Sequence, residues 1–309
     1  MSALVHQRTQ IAAKIEEVEG TAETLEAADG FLAFPQGEPD PKIDPYERNP
    51  YRETLSPLPS VLGKRSGKFP FMTELAGSGI AGTAPFWGKL AKGCGMAETV
   101  VPVTSVAYDP ASSAIPSMTL AAYMDGTIHK IWGARGSLKL NLEVGKPGLL
   151  NWDFQGADWS HLDGALLAGV TYATVVPPVF LNATFQIDGV DFLVEKVEFD
   201  LGNTLALRTN PNRESGHESC LITDRKGKIT LDPEMVLAAT KDIWTMWRTG
   251  AVVVLSAVLG STPGNIVTIT ANFQLQDAKH GQRTGIRTTS LTALMPLSLG
   301  DDEFNITLT

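Results

Sequence analysis

Between Ser137 and Val144 apolar and polar residues alternate without a break: Leu138, Leu140, Leu142 and Val144 fall on one side, Ser137, Lys139, Asn141 and Glu143 on the other. A period of two belongs to a strand with one buried and one wet face, and a helix cannot use it. The same pattern returns in Val267, Ile269, Ala271, Phe273 and Leu275, and more briefly in Val197, Phe199 and Leu201. Strands of this kind build antiparallel sheets packed on one side. Asp125-Gly126 and Asp188-Gly189 each separate two such runs, and Asp-Gly supplies the positive φ angles of a two-residue hairpin turn. The segment Ile11–Val18 fits either period and is assigned to a strand.

Two helices punctuate the strands. The spacing predicts one with Thr83 as N-cap, Pro85 in its first turn, Phe86, Trp87 and Leu90 facing the core, and Gly93 at its end. It predicts the other with Asp232 as N-cap, Pro233 at the first helical position, Val236, Thr240, Ile243 and Trp247 along one face, and Gly250 as the stop. Residues 35–59 hold seven prolines, which excludes a central strand or a helix interior and marks a long extended arm.

The two halves of the chain echo one another. Asn49-Pro50-Tyr51-Arg52-Glu53 returns as Asn210-Pro211-Asn212-Arg213-Glu214, Arg65-Ser66-Gly67-Lys68-Phe69 as Arg225-Lys226-Gly227-Lys228-Ile229, and Phe86-Trp87 with Gly93 as Ile243-Trp244 with Gly250. Pro147-Gly148 and Phe154-Gln155 answer to Pro263-Gly264 and Phe273-Gln274 if extra residues lie near 95–135. The fold expected is therefore mainly β: two copies of one antiparallel β-sandwich or half-barrel unit, each with one flanking helix. The first spans residues 1–160 with an acidic N-terminal segment and the proline-rich arm, the second residues 161–309. Trp87 and Trp244 are expected to be equivalent core residues.

Charge and chemistry narrow the function. The net charge of −9, of which residues 1–60 carry eleven Asp or Glu against five Lys or Arg, opposes affinity for nucleic acid. No apolar signal core is visible in MSALVHQRTQ, and the longest apolar stretch, Ala251–Leu259, is too short to span a bilayer, so neither export nor a membrane is expected. Cys94 and Cys220 read as buried free thiols. Gly77-Ser78-Gly79-Ile80-Ala81-Gly82, with Glu98 further on, has the form of a dinucleotide fingerprint, but the second copy has no glycines at that place and no β-α-β-α run surrounds it. His6, His129, His161, His217 and His280 lie far apart in sequence without metal-ligand spacing. His217-Glu218-Ser219-Cys220 reads as the start of a strand, and the acceptor patterns at Asn182 and Asn305 as coincidence. No catalytic, cofactor-binding or metal-ligating residue is assigned, and no enzyme is expected.

The pattern along the chain resembles the larger tail tube proteins of long-tailed bacteriophages. It is carried by Arg8-Thr9-Gln10-Ile11-Ala12-Ala13-Lys14, Glu19-Gly20-Thr21-Ala22-Glu23, Glu47-Arg48-Asn49-Pro50, Gly82-Thr83-Ala84-Pro85, Leu201-Gly202-Asn203-Thr204 and Gly300-Asp301-Asp302-Glu303. The resemblance implies a structural subunit of the virion, assembled in the host cytoplasm, whose rings stack into a tube. That tube encloses a tape measure protein, conducts DNA on ejection, and meets terminator and tip proteins at its ends. Single-unit relatives form rings of six, so a two-unit chain implies a trimer with approximate sixfold symmetry. The lumen is expected to be net negative and the proline-rich arm to pack on a neighbouring subunit. An adaptor of the same fold at the tail tip, or the tube of a contractile machine, is the alternative.

Overall fold

The structure is a computed structural model and describes residues 4–309; Met1-Ser2-Ala3 of the N-terminal segment lie outside the described residues. The first half contains β1 (Thr9–Ile15), β2 (Gly30–Phe31), β3 (Phe34–Pro35), β4 (Asp40–Tyr46), β5 (Val61–Glu74), α1 (Gly88–Gly93), β6 (Met96–Val101), β7 (Ser105–Pro110), β8 (Met118–Met124), β9 (Gly126–Glu143), β10 (Leu149–Gly156) and β11 (Asp158–Gly164). The second contains β12 (Thr184–Ile187), β13 (Val190–Asp191), β14 (Lys196–Asp200), β15 (Asn203–Thr209), β16 (His217–Arg225), β17 (Lys228–Leu231), α2 (Ile243–Thr249), β18 (Val252–Leu259), β19 (Val267–Arg283), β20 (Ile286–Leu294) and β21 (Phe304–Leu308). The fold is mainly β, and every strand pairing among the described residues is antiparallel.

The alternating segments became the longest strands. In β9 the side chains of Leu138, Leu140 and Leu142 are buried, while Lys139 and Glu143 are exposed. The strand stops at Glu143, so Val144 stands in a turn, 47% exposed, and leaves the face it was expected to join. In β19, Val267, Ile269, Ala271, Phe273 and Leu275 are all buried. Asp125-Gly126 and Asp188-Gly189 form the two-residue turns of β8–β9 and β12–β13, with φ of 41° and 125° in the first and 54° and 71° in the second.

One order of pairings occurs twice. β9 is flanked along its first part by β8 and β11 and along its second part by β10; β10 pairs with β5, β8 with β1, and β1 with β2. In the second half β19 is flanked by β18 and β21 and then by β20; β20 pairs with β17, β18 with β12, and β12 with β13. Both central strands leave one sheet region and enter another. β9 does so at Gly133, whose φ is +60°, and β19 at a bulge between Leu275 and Asp277. The β6–β7 hairpin has no counterpart among the described residues and pairs along β21. β9 also pairs with β14, so the sheet runs on from one half into the other, over a single buried cluster that holds Phe71, Trp152 and Leu140 with Phe199, Ile269 and Phe304.

This order corrects part of the sequence comparison. Pro147-Gly148 lies in the turn from β9 to β10, whereas Pro263-Gly264 lies in the turn from β18 to β19, so these turns occupy different places in the two halves. Phe154 on β10 and Phe273 on β19 likewise do not correspond. β11 crosses residue 160, and between Gly164 and Thr184 the chain forms no named strand or helix.

The helices are shorter than their sequence signals. α2 begins at Ile243, capped by Asp242, whose carboxylate accepts from the Thr245 N–H at 2.9 Å, and it ends at Gly250 with φ +67°. Asp232 caps no helix. Its carboxylate accepts from the Glu195 and Lys196 N–H groups and faces Arg283 at 3.2 Å. Residues 233–235 run beside β20, where Thr289 donates to Pro233 O and Met235 to Arg287 O, so backbone groups that a helix would have paired are satisfied by the sheet edge. α1 starts after Trp87 rather than at Thr83, yet Trp87 and Leu90 are fully buried as expected. Trp244 is not core: it is 36% exposed and packs on Trp247 and His280, because Ile243 and Met246 take the inward face of α2.

Candidate assembly surfaces

The glycine run after β5 is a contact between backbones. Gly77 donates to Asn265 Oδ1 at 2.8 Å and Gly79 to Gly264 O at 3.1 Å. A Cβ on Gly77 would lie 2.1 Å from Gly264 O, and one on Gly82 would lie 2.2 Å from Val103 N. Glycine is required there by close approach, and the adjoining helix is six residues long and starts only at Gly88. Glu98, the acid of the apparent fingerprint, accepts instead from Tyr108 Oη at 2.7 Å and Lys92 Nζ at 3.0 Å.

The histidines are less scattered than their numbers suggest. The β9–β11 register sets His129 opposite His161, with ring centroids 5.5 Å apart, and His129 also stacks on Trp159. Burial, and then the neighbouring His161, lower the His129 pKa. Among the described residues no group of three or more His, Cys, Asp or Glu could hold a metal ion. His217, Ser219 and Cys220 are buried on β16, Glu218 is held by Arg213, and both cysteines are free thiols. Burial pushes the Cys220 thiol up to about 11, away from reactivity. Asn305 is occupied by a bond to Asp109 Oδ1 at 2.7 Å.

A broad polar face is the larger feature. β5, β10, β9, β14, β17 and β20 lie side by side and turn one face to the core. The other face carries Lys68, Lys139, Lys196 and Lys228 against Glu74, Glu143, Asp153, Glu198 and Asp200, four lysines against five carboxylates. Opposite charges meet across strands, as in Lys139 Nζ to Asp200 Oδ2 at 2.8 Å and the register of Lys196 with Glu143.

In the joint between the halves, Leu201 N–H donates to Leu138 O at 3.0 Å. Asn203 Nδ2 donates to Cys94 O at 2.7 Å, at the end of α1, and to Gly136 O at 3.0 Å. The β15–β16 hairpin then folds over β9. Arg135, 6% exposed, donates to Cys220 O, to Ile115 O and to Glu19 Oε1, and Ser219 donates to the same Glu19 carboxylate. Burial works to raise the Glu19 pKa, but the bonds from Ser219 and Arg135 outweigh it and hold it below the usual range. A Cβ on Gly20 would lie 2.2 Å from Glu218 O, which explains the glycine in Glu19-Gly20-Thr21.

Elsewhere strand edges and apolar side chains are left open. β19 pairs with β18 only as far as Gln274, so among the described residues one edge of 277–283 has no strand beside it. Tyr46, Tyr51, Leu55 and Leu62 on the β4–β5 arm are exposed, as are Val252 and Val254 on β18. An open edge and exposed apolar side chains on a mainly β body are the features of a subunit that self-associates. The sequence profile of the phage tail tube proteins matches residues 6–300, nearly the whole chain, and the chain belongs to that family. It is a structural tail tube subunit that self-associates into a tube and forms part of the virion tail. No curated protein matches the chain. Among the described residues no helix is long and apolar enough to cross a membrane.

Proposed function

We propose that three copies of this chain close into a ring of six quasi-equivalent units, and that stacked rings enclose the tape measure protein and later conduct DNA. The repeated pairing order carries this reading. A chain with two copies of one unit, joined by the β9–β14 ladder, supplies two successive positions of a closed ring. The units divide in the irregular segment between Gly164 and Thr184. The polar face of β5, β10, β9, β14, β17 and β20 lines the lumen. Its charge, four lysines against five carboxylates, is slightly net negative, and DNA slides past it because lysines such as Lys139 are engaged by carboxylates of the same wall. Terminator and tip proteins bind the two ends of the tube. Mass measurement of a single ring, or the symmetry of tube images, tests the count: three chains are expected, and six would overturn the reading.

A further inference from the structure

The joint inside the chain has a missing counterpart. The strand registers define which residues correspond, starting from Lys68 and Lys228 of the repeated Arg-x-Gly-Lys segment. Lys68 faces Asp40 and Gln155, and Lys228 faces Asp200 and Leu294. Four residues back along β10 and β20, Asn151 faces Lys139 and Ser290 faces Lys279. Asp40 therefore corresponds to Asp200, and Lys279 to Lys139. Within the chain, Lys139 and Asp200 stand opposite each other across β9 and β14 and form an ion pair. Among the described residues Lys279 and Asp40 have no such partner: Asp40 is exposed, and Lys279, 74% exposed, pairs there only with its neighbour Asp277.

Resting on the ring proposed above, we infer that this joint is repeated between chains, the open edge of β19 receiving the segment Phe34–Asp40 of the next copy with Lys279 paired to its Asp40. Addition of a strand to an open edge is a general mode of association, and here the charges are complementary. The clasp above the joint repeats as well. β15 and β16 continue β14 and β17 and fold over β9 at Arg135, whose register equivalent on β19 is Gln274. β4 and β5 occupy the corresponding place in the first half. On the next chain their arm comes to lie over Gln274 and its cross-strand neighbour Val252, with Val254 two residues along. The exposed Tyr46 and Leu62 of the arm thus meet the exposed Val252 and Val254 of the next copy, so each chain covers a patch its neighbour leaves open. The repetition is not complete. Pro41 stands where Leu201 donates to Leu138 O, and proline has no N–H to give, so the ladder between chains is thinner than the one within the chain.

The test is a full-length Asp40→Cys, Lys279→Cys double variant, oxidised after assembly and run on a denaturing non-reducing gel beside the wild type. Cys94 and Cys220 are fully buried and do not compete. A covalent trimer that each single variant fails to give is the expected result. Normal tubes without cross-linking would overturn the joint while leaving the tube function standing, and wild-type protein that forms neither rings nor tubes would overturn both. Charge reversal gives a second readout that preserves the fold. Lys279→Asp and Asp40→Lys should each raise the protein concentration needed for assembly several-fold, and their combination should restore it; failure of the pair to rescue also counts against the joint.

Discussion

Two arms hold the same place in the two halves and meet opposite fates. The β15–β16 arm is pinned to its own chain by Arg135, Glu19 and Ser219, with Arg213 and Asn210 gripping Glu218 at its tip. The β4–β5 arm reaches out with Tyr51 and Leu55 fully exposed. Near its tip it is braced by Arg48, which donates to Pro59 O. The difference follows from position in the chain. In the proposed ring the second half has the first beside it in the same molecule, whereas the first half meets its neighbour on another copy. On the joint proposed above, the free arm is half of a contact between copies, and its prolines keep it from pairing as an ordinary edge strand.

The comparison breaks most sharply if the free arm is removed. Deleting residues 47–58 and closing the gap with a short glycine-containing turn should abolish tubes in negative-stain images. The thermal melt should stay close to the wild type, since few folded-state contacts are lost. Normal tubes from this variant would show that the arm is not part of the joint.

The pinned arm should respond in the opposite way. Arg135→Met leaves the Cys220 and Ile115 carbonyls without their donor and Glu19 without its cation. The expected cost is about 2 kcal/mol in urea unfolding, mostly from the carbonyls left without a donor, since the Glu19 side chain is 43% exposed and can turn to water. Loss of stability should precede any loss of assembly in this variant.

The smallest effect concerns pH. His129 is buried beside Trp159 and His161, and its folded pKa lies below the ordinary 6.5. The unfolded chain therefore takes up the proton first, and stability should fall as the pH drops through about 6.5. His129→Phe should flatten the urea midpoint between about pH 7.5 and 5.5 if this histidine carries the dependence. An unchanged slope would assign it to other groups, His217 first among them, since burial also lowers its pKa.

Features set by local chemistry were legible in the residues alone. Period-two alternation set the faces of β9 and β19, Asp-Gly set two hairpin turns, the prolines kept residues 35–59 at a sheet edge, and Trp87 and Leu90 marked the buried side of α1. The tertiary structure decided which backbone groups had better partners. Asp232 and residues 233–235 carry a sound helix start, but Glu195, Lys196 and the edge of β20 satisfied them first, and the helix waited for Asp242. Trp244 lost its expected core place because the rotation of α2 is set by Ile243 and Met246. The glycine run and the meeting of His129 with His161 depend on strands brought together from distant parts of the chain. The surfaces proposed for assembly were hidden for the same reason. An open edge at Asp277–Arg283 is defined by the strand that is not beside it, and no local pattern records an absent neighbour.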